Sequence, residues 1–141
     1  MKTLNPRVPA ILAEYDQLHQ ISNDELRARS AGFRKKIAAE LNHLDSESEK
    51  IQAQLDAEPD MDPVEKDGLF KQLDDLKKKR NENLEKVLDE ILPEAFAVMK
   101  ETAKRFTENK DIRSTATQRD RDLAVDQDFV DIEGNEAVYH N

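Results

Sequence analysis

The sequence predicts a mainly α fold: four helices, including a long antiparallel helical hairpin, with a small C-terminal β-hairpin that belongs to a truncated larger domain. Three observations carry this. Apolar residues recur at helical spacing from Val8 to Phe106. Three glycines and five prolines in 141 residues are too few for the many turns of an all-β chain. After Phe106 the pattern changes to a polar stretch and then to short alternating runs.

Asn5-Pro6 is a plausible start for the first helix, with proline near the first helical position. Val8, Ile11, Leu12, Tyr15 and Leu18 then line one face, and the helix should stop near Gln20. Ser22 and Glu25 make a capping box for a second helix, Asn23 to about Ala57. Along it Ile37, Leu41, Leu44, Ser48, Ile51 and Leu55 alternate steps of four and three, a narrow coiled-coil seam. Pro59-Asp60-Met61-Asp62-Pro63 turns the chain. A third helix from about Pro63 to Leu92 carries Leu69, Leu73, Leu76, Leu84, Val87, Leu88 and Ile91, with a polar interruption from Lys77 to Asn83. So short a connection implies an antiparallel pair. Folding about Met61 sets Leu55 against Leu69, Ser48 against Leu76, Leu44 against Arg80 and Ile37 against Val87.

Pro93 stands in the most apolar stretch of the chain. Proline suits a first helical turn and breaks a helix elsewhere, so a fourth helix is expected to begin there. Its Ala95, Phe96, Met99, Ala103 and Phe106 share one face, expected as core. Residues 107–128 read as a loop with one short helix near Arg119–Ala124. Phe129–Ile132 and Ala137–Tyr139 flank Glu133-Gly134-Asn135 as a β-hairpin, expected to have no partner strand in the chain. Unpaired edges invite pairing with another chain, so the chain is expected either to self-associate as a homo-oligomer or to leave this tail loose.

Charged residues make up 38% of the chain and net charge is −9, which opposes general nucleic-acid binding. The charge is uneven: residues 1–40 hold seven Lys or Arg against five Asp or Glu, while residues 107–141 hold four against nine. There is no cysteine, so neither disulfide nor thiolate chemistry arises. No apolar run approaches the roughly 20 residues of a membrane span, and no signal peptide is visible.

A search for chemistry finds no catalytic, cofactor-binding or metal residues. Gly32, Gly68 and Gly134 are isolated, and no Gly-Lys-Ser/Thr follows them. Asp16 and His19 are one turn apart but make only two of the ligands a zinc ion needs. Asp60 and Asp62 lack the glycine and terminal glutamate of a calcium loop. Asp74-Asp75 and Asp89-Glu90 fit solvated helix faces. The basic runs Lys77–Arg80 and Arg27, Arg29, Arg34, Lys35, Lys36 read first as solvated surface.

Two blocks carry a resemblance. Ile21–Ile37, ISNDELRARSAGFRKKI, and Leu88–Phe106, with LPEAFAVMKETAKRF at its heart, resemble in order and pattern the start of SecA, the motor of bacterial protein export. Thr115–Tyr139 resembles, more weakly, an extension in some branches of that family. The resemblance implies a cytoplasmic ATPase, peripheral at the inner membrane, that pushes unfolded preproteins through the SecY channel. It implies two RecA-like domains binding ATP and Mg²⁺, with the phosphate loop after the region seen here. The family's extreme N-terminus is implicated in contact with acidic lipid and the channel; here it offers Lys2 and Arg7. The expected division is 1–37, N-terminal helices; 38–87, a helical-hairpin insertion longer than the common form; 88–106, the core helix opening the first motor domain; and 107–141, a polar loop and β-hairpin extension. The chain is thus expected to be a non-catalytic portion of such a motor. The alternative is an independent acidic helical-hairpin interaction module. A reading frame continuing past Asn141 into a phosphate loop would favour the first.

Because the phosphate loop and Mg²⁺ ligands are missing from this stretch, titration of the chain with Mg-ATP is expected to give no saturable heat. A micromolar site would overturn that expectation.

Overall fold

A computed structural model describes residues 7–141; Asn5-Pro6 and Lys2 lie outside the described residues. The elements are α1 (Arg7–Leu18), α2 (Asn23–Ala57), α3 (Pro63–Glu108), β1 (Asp111–Thr115), α4 (Gln118–Asp126), β2 (Val130–Glu133) and β3 (Glu136–His140). They form two compact units. One comprises the residues up to Gly32 together with Leu92–Asn141, the other Phe33–Ile91. No helix among the described residues is long and apolar enough to cross a membrane.

The unit Phe33–Ile91 is the antiparallel hairpin the spacing predicts. Leu41, Leu44 and Leu55 of α2 and Leu76, Val87 and Ile91 of α3 are buried, while Ile37, Ile51, Leu69, Leu73 and Leu84 are half-buried. Leu88, expected in the seam, is exposed. Arg80 donates to Asp45, Nε to Oδ1 at 2.6 Å and Nη2 to Oδ2 at 3.4 Å, one residue from its expected partner Leu44. The polar interruption in α3 is therefore bridged by a charge pair. Ser48 donates to the Leu44 carbonyl at 2.9 Å, which lets a hydroxyl sit in the seam without an unmet hydrogen bond. At the turn, Asp62 accepts from the Val64 amide at 2.8 Å and caps α3.

Pro93 does not begin a helix. It lies inside α3, which runs 46 residues without a break. A proline there lacks the N–H that would bond four residues back and costs about 3 kcal/mol. The helix continues because residues on both sides of Pro93 bury apolar surface: Val87 and Ile91 before it, Ala97 and Val98 after it. The buried face after Pro93 is also not the one expected. Ala97, Val98 and Glu101 point inward, whereas Phe96 (52% exposed) and Met99 (70% exposed) face outward, with Ala103. This helix is apolar on two faces, and periodicity alone cannot say which of them packs within the chain. In α1 likewise Leu18 is buried, but Val8 and Leu12 are exposed.

The C-terminal region corrects a second expectation. Its hairpin has a partner. The sheet is antiparallel in the order β1-β3-β2, so the segment before α4 pairs with the last strand. The ground for expecting self-association through an unpaired hairpin is removed. Glu133 pairs with Glu136 across a turn whose Gly134 has φ +64, a left-handed value that glycine adopts without a Cβ clash. The predicted short helix is α4, capped by a box in which Thr117 and Asp120 bond each other's backbone amides. In register, Ile112, Ser114, Val130, Ile132, Ala137 and Tyr139 share one face, while Asp111, Arg113, Asp131, Glu133, Glu136, Val138 and His140 share the other.

The hairpin yields a stability prediction. Leu44→Ala is expected to cost about 2–4 kcal/mol in urea unfolding, as a truncation in a packed seam. Leu88→Ala should stay within about 0.5 kcal/mol, as at an exposed site. Equal losses at the two positions would show that the burial pattern is wrong.

Candidate functional site

The first turn of α2 is where the unit holding the sheet is tied together. Ser22 opens it through the predicted capping box: its amide donates to Glu25 Oε2 at 2.8 Å, and Glu25 N donates to Ser22 Oγ at 3.1 Å. The next residues reach outward. Asn23 donates to the Arg113 carbonyl at 2.8 Å. Asp24 accepts from the Thr115 amide and from its hydroxyl, each at 2.7 Å, and these bonds hold its carboxyl below its ordinary pKa. Arg27 reaches α4.

Arg27 forms a two-pronged pair with Asp120, Nη2 to Oδ1 at 2.6 Å and Nη1 to Oδ2 at 2.8 Å. Asp120 is 0% exposed. It also accepts from the Tyr139 hydroxyl, the Thr117 amide and the Thr117 hydroxyl. A buried carboxylate alone would be protonated. Here the hydrogen bonds from Arg27 outweigh burial, and with those from Tyr139 and Thr117 they hold Asp120 far below the ordinary carboxylate range. Burial and the Asp120 carboxylate push the Tyr139 hydroxyl up. One charged group thus joins α2, α4 and β3.

A second cluster lies under the end of α1. Glu101 is 3% exposed. Burial pushes its carboxyl up, but hydrogen bonds from Arg105 Nε (2.8 Å) and from His19 Nδ1 (2.9 Å) more than offset this, and it sits below its ordinary value. Arg105 spends its other donors on the carbonyls of Leu18 (2.9 Å) and Ile21 (2.8 Å) and on Asn23 Oδ1 (2.8 Å). It therefore adds a donor to the Leu18 carbonyl at the C-terminus of α1, which also accepts from the Ile21 amide at 3.4 Å, and supplies one to the Ile21 carbonyl just beyond it. Beside α1, Lys100 lies over the Tyr15 ring at 4.1 Å from its centroid.

Between the clusters opens a cleft of about 330 Å³, walled by Leu26, Val98, Phe106, Ile112 and Tyr139, with Arg27 and Arg105 at its margin. Both guanidinium groups are already engaged by buried carboxylates. The side chains brought together here offer packing and ion pairing; the hydroxyls of Thr102, Ser114 and Tyr139 in its wall are engaged with the Val98 carbonyl, Arg27 and Asp120 respectively.

The residues singled out in the sequence fall apart in space. The basic group divides: Arg27 serves the buried pair, Arg29 meets Glu94 at 3.0 Å, and Arg34, Lys35 and Lys36 belong to the other unit. Of Lys77–Arg80, Arg80 pairs with Asp45 and the three lysines are exposed. His19 turns to Glu101, with Asp16 4.0 Å from its other nitrogen. Asp62 caps a helix beside Asp60, and Asp74, Asp75, Asp89 and Glu90 are exposed. No group of three or more metal-binding side chains occurs among the described residues. Sequence reasoning missed Asp120, Tyr139 and Glu101. The Thr117-x-x-Asp120 spacing is a capping signal that could have pointed to Asp120.

Over all 141 residues the chain is 43% identical to protein translocase subunit SecA of Porphyromonas gingivalis strain W83, spanning 12% of that protein. It is 40% identical over 141 residues to the SecA of Amoebophilus asiaticus, spanning 13%, and 40% over 141 residues to that of Flavobacterium psychrophilum, spanning 12%. Along its whole length this chain is similar to SecA proteins. The likeness includes residues 38–87 and the C-terminal region. The chain spans about an eighth of the SecA proteins it matches. No protein-family model and no solved structure matches it.

The buried pair gives an asymmetric prediction at pH 7. Arg27→Met leaves a fully buried carboxylate without its cation, whereas Asp120→Asn leaves a guanidinium that reaches water. The first should cost the more, with about 3 kcal/mol for the second, the low end for broken buried pairs. Because the folded pKa of Asp120 is depressed, its contribution is present above the unfolded value near 3.9 and is lost as pH falls through the folded value. Acid unfolding followed by circular dichroism should therefore be less steep in Asp120→Asn. An unchanged acid limb would refute the role of this carboxylate.

Proposed function

We propose that this chain is the N-terminal, non-catalytic portion of a SecA-type motor, which drives ATP-dependent translocation of preproteins through the SecY channel. The observation that carries this reading is sequence identity of about 40% to proteins named protein translocase subunit SecA, sustained across the entire chain. An independent hairpin module accounts less well for it, since the helices and the sheet match along with the hairpin.

In this reading residues 1–37 are leading helices, 38–87 a helical-hairpin insertion, 88–106 the core helix that opens the first motor domain, and 107–141 an extension beside it. The outward Phe96 and Met99 support this. A helix apolar on opposite faces is a helix made to be covered on both, and the rest of the motor would supply the second cover. ATP and Mg²⁺ would bind to that remainder. This stretch does not fit them: its three glycines are isolated, and no cluster of metal-binding side chains occurs among the described residues. The channel complex and the preprotein are the partners of the whole motor, acting in the cytoplasm and at the inner membrane. Arg7, exposed at the start of α1, would be one contact for acidic lipid; nucleic acid is not a partner in this reading.

A chimera tests the proposal. The matching stretch of Porphyromonas gingivalis SecA is replaced by this chain, and ATP-driven import of a preprotein into inverted membrane vesicles is measured. Near-native import is expected. A chimera that folds and hydrolyses ATP yet imports nothing would overturn the reading.

A further inference from the structure

The outer face of the sheet holds an arrangement that neither polar cluster uses. At one end Arg113 of β1 meets Glu133 of β2 at 2.7 Å and Glu136 of β3 at 3.2 Å. At the other end the cation stands at the centre, a histidine on β3 between two carboxylates. His140 Nδ1 lies 2.8 Å from Asp111 Oδ1 on β1, and His140 Nε2 lies 2.9 Å from Asp131 Oδ2 on β2. Ionised carboxylates only accept hydrogen bonds. Each ring nitrogen must then carry a proton to donate, and a neutral imidazole has a proton on one nitrogen only. This geometry is that of the imidazolium ion.

We propose that His140 is a proton-operated clasp: charged, it ties both outer strands to β3, and on losing its proton it releases one of them. The strand it sits on is the central one, so the clasp spans all three strands. The groups facing it are Asp111 from β1, preceded by Lys110 and followed two residues on by Arg113, and Asp131 from β2. Arg113 is itself taken up by Glu133 and Glu136. From α3 the strand end receives a neutral partner, the Phe106 carbonyl, which accepts from the Asn141 side chain at 2.7 Å. After deprotonation one ring nitrogen presents a lone pair to a carboxylate, so the link becomes repulsive.

The direction of the response follows. Hydrogen bonds to Asp111 and then to Asp131 raise the His140 pKa above its ordinary value, and His140 in turn holds Asp111 below its own. A raised folded pKa gives stability that is complete below the unfolded value near 6.5 and is lost as pH rises through the folded value. The clasp is therefore closed on the acid side and opens on the alkaline side.

Two measurements on the full chain test this. NMR of the His140 ring should show both nitrogens protonated at pH 6 and a midpoint above 6.5. Amide exchange from Val138 to Asn141 is then compared at fixed pH with His140→Arg, which keeps its charge throughout. The two should match at pH 6, and the unaltered chain should exchange several-fold faster at pH 9. His140→Gln should exchange faster than His140→Arg at both. A midpoint at or below the ordinary value, or equal exchange in the unaltered chain and His140→Arg at pH 9, would overturn the proposal. The ring titration decides the matter even where a variant fails to fold.

Discussion

The Asp120 carboxylate is the group on which the sheet-bearing unit depends. It has no exposed surface, and it stays ionised because Arg27, Tyr139 and Thr117 all donate to it. Such a group offers little net stability compared with a well-packed apolar residue. What it supplies is specificity. Five donors from α2, β3 and the turn before α4 must converge within hydrogen-bond distance, and a misplaced element would strand a buried charge. The same end of α2 adds Asn23 and Asp24, so helix and sheet are joined by polar bonds of fixed direction.

The hairpin rests on different physics. Its buried residues are leucine, valine and isoleucine along a narrow line, interrupted by one charge pair. Nonpolar contact tolerates small shifts in register in a way that convergent hydrogen bonds do not. Arg80 meeting Asp45, one residue from Leu44, shows how closely an alternating step of four and three specifies the pairing all the same.

Legibility in the sequence follows the range of the signal. The Ser22 box, α2 with its end near Ala57, the turn at Pro59–Pro63 and the hairpin at Gly134 are local or periodic signals, and they were readable. Strand β1 was not. Ile112 is its one apolar residue, and its partner lies some 25 positions later. Pro93 misled because its local cost, real in any helix, is smaller than the burial around it. Phe96 and Met99 misled because two apolar stripes on one helix have the same period. The Arg27–Asp120 pair spans 93 positions, and no spacing rule joins residues so far apart.

The cap on α1 has a consequence for how the molecule comes into being. Twelve residues are too few for a stable isolated helix in water. Its last carbonyl, that of Leu18, takes a side-chain donor from Arg105, 87 positions downstream. A ribosome adds about 5–20 residues per second, so on the order of 5–15 seconds separate the emergence of α1 from that of its cap. For that interval α1 lacks this side-chain partner, and α2 waits longer still for Asp120. A co-translational chaperone would meet α1 as an unformed amphipathic segment, and no element of this unit is fully tied until residues far downstream of it have been made.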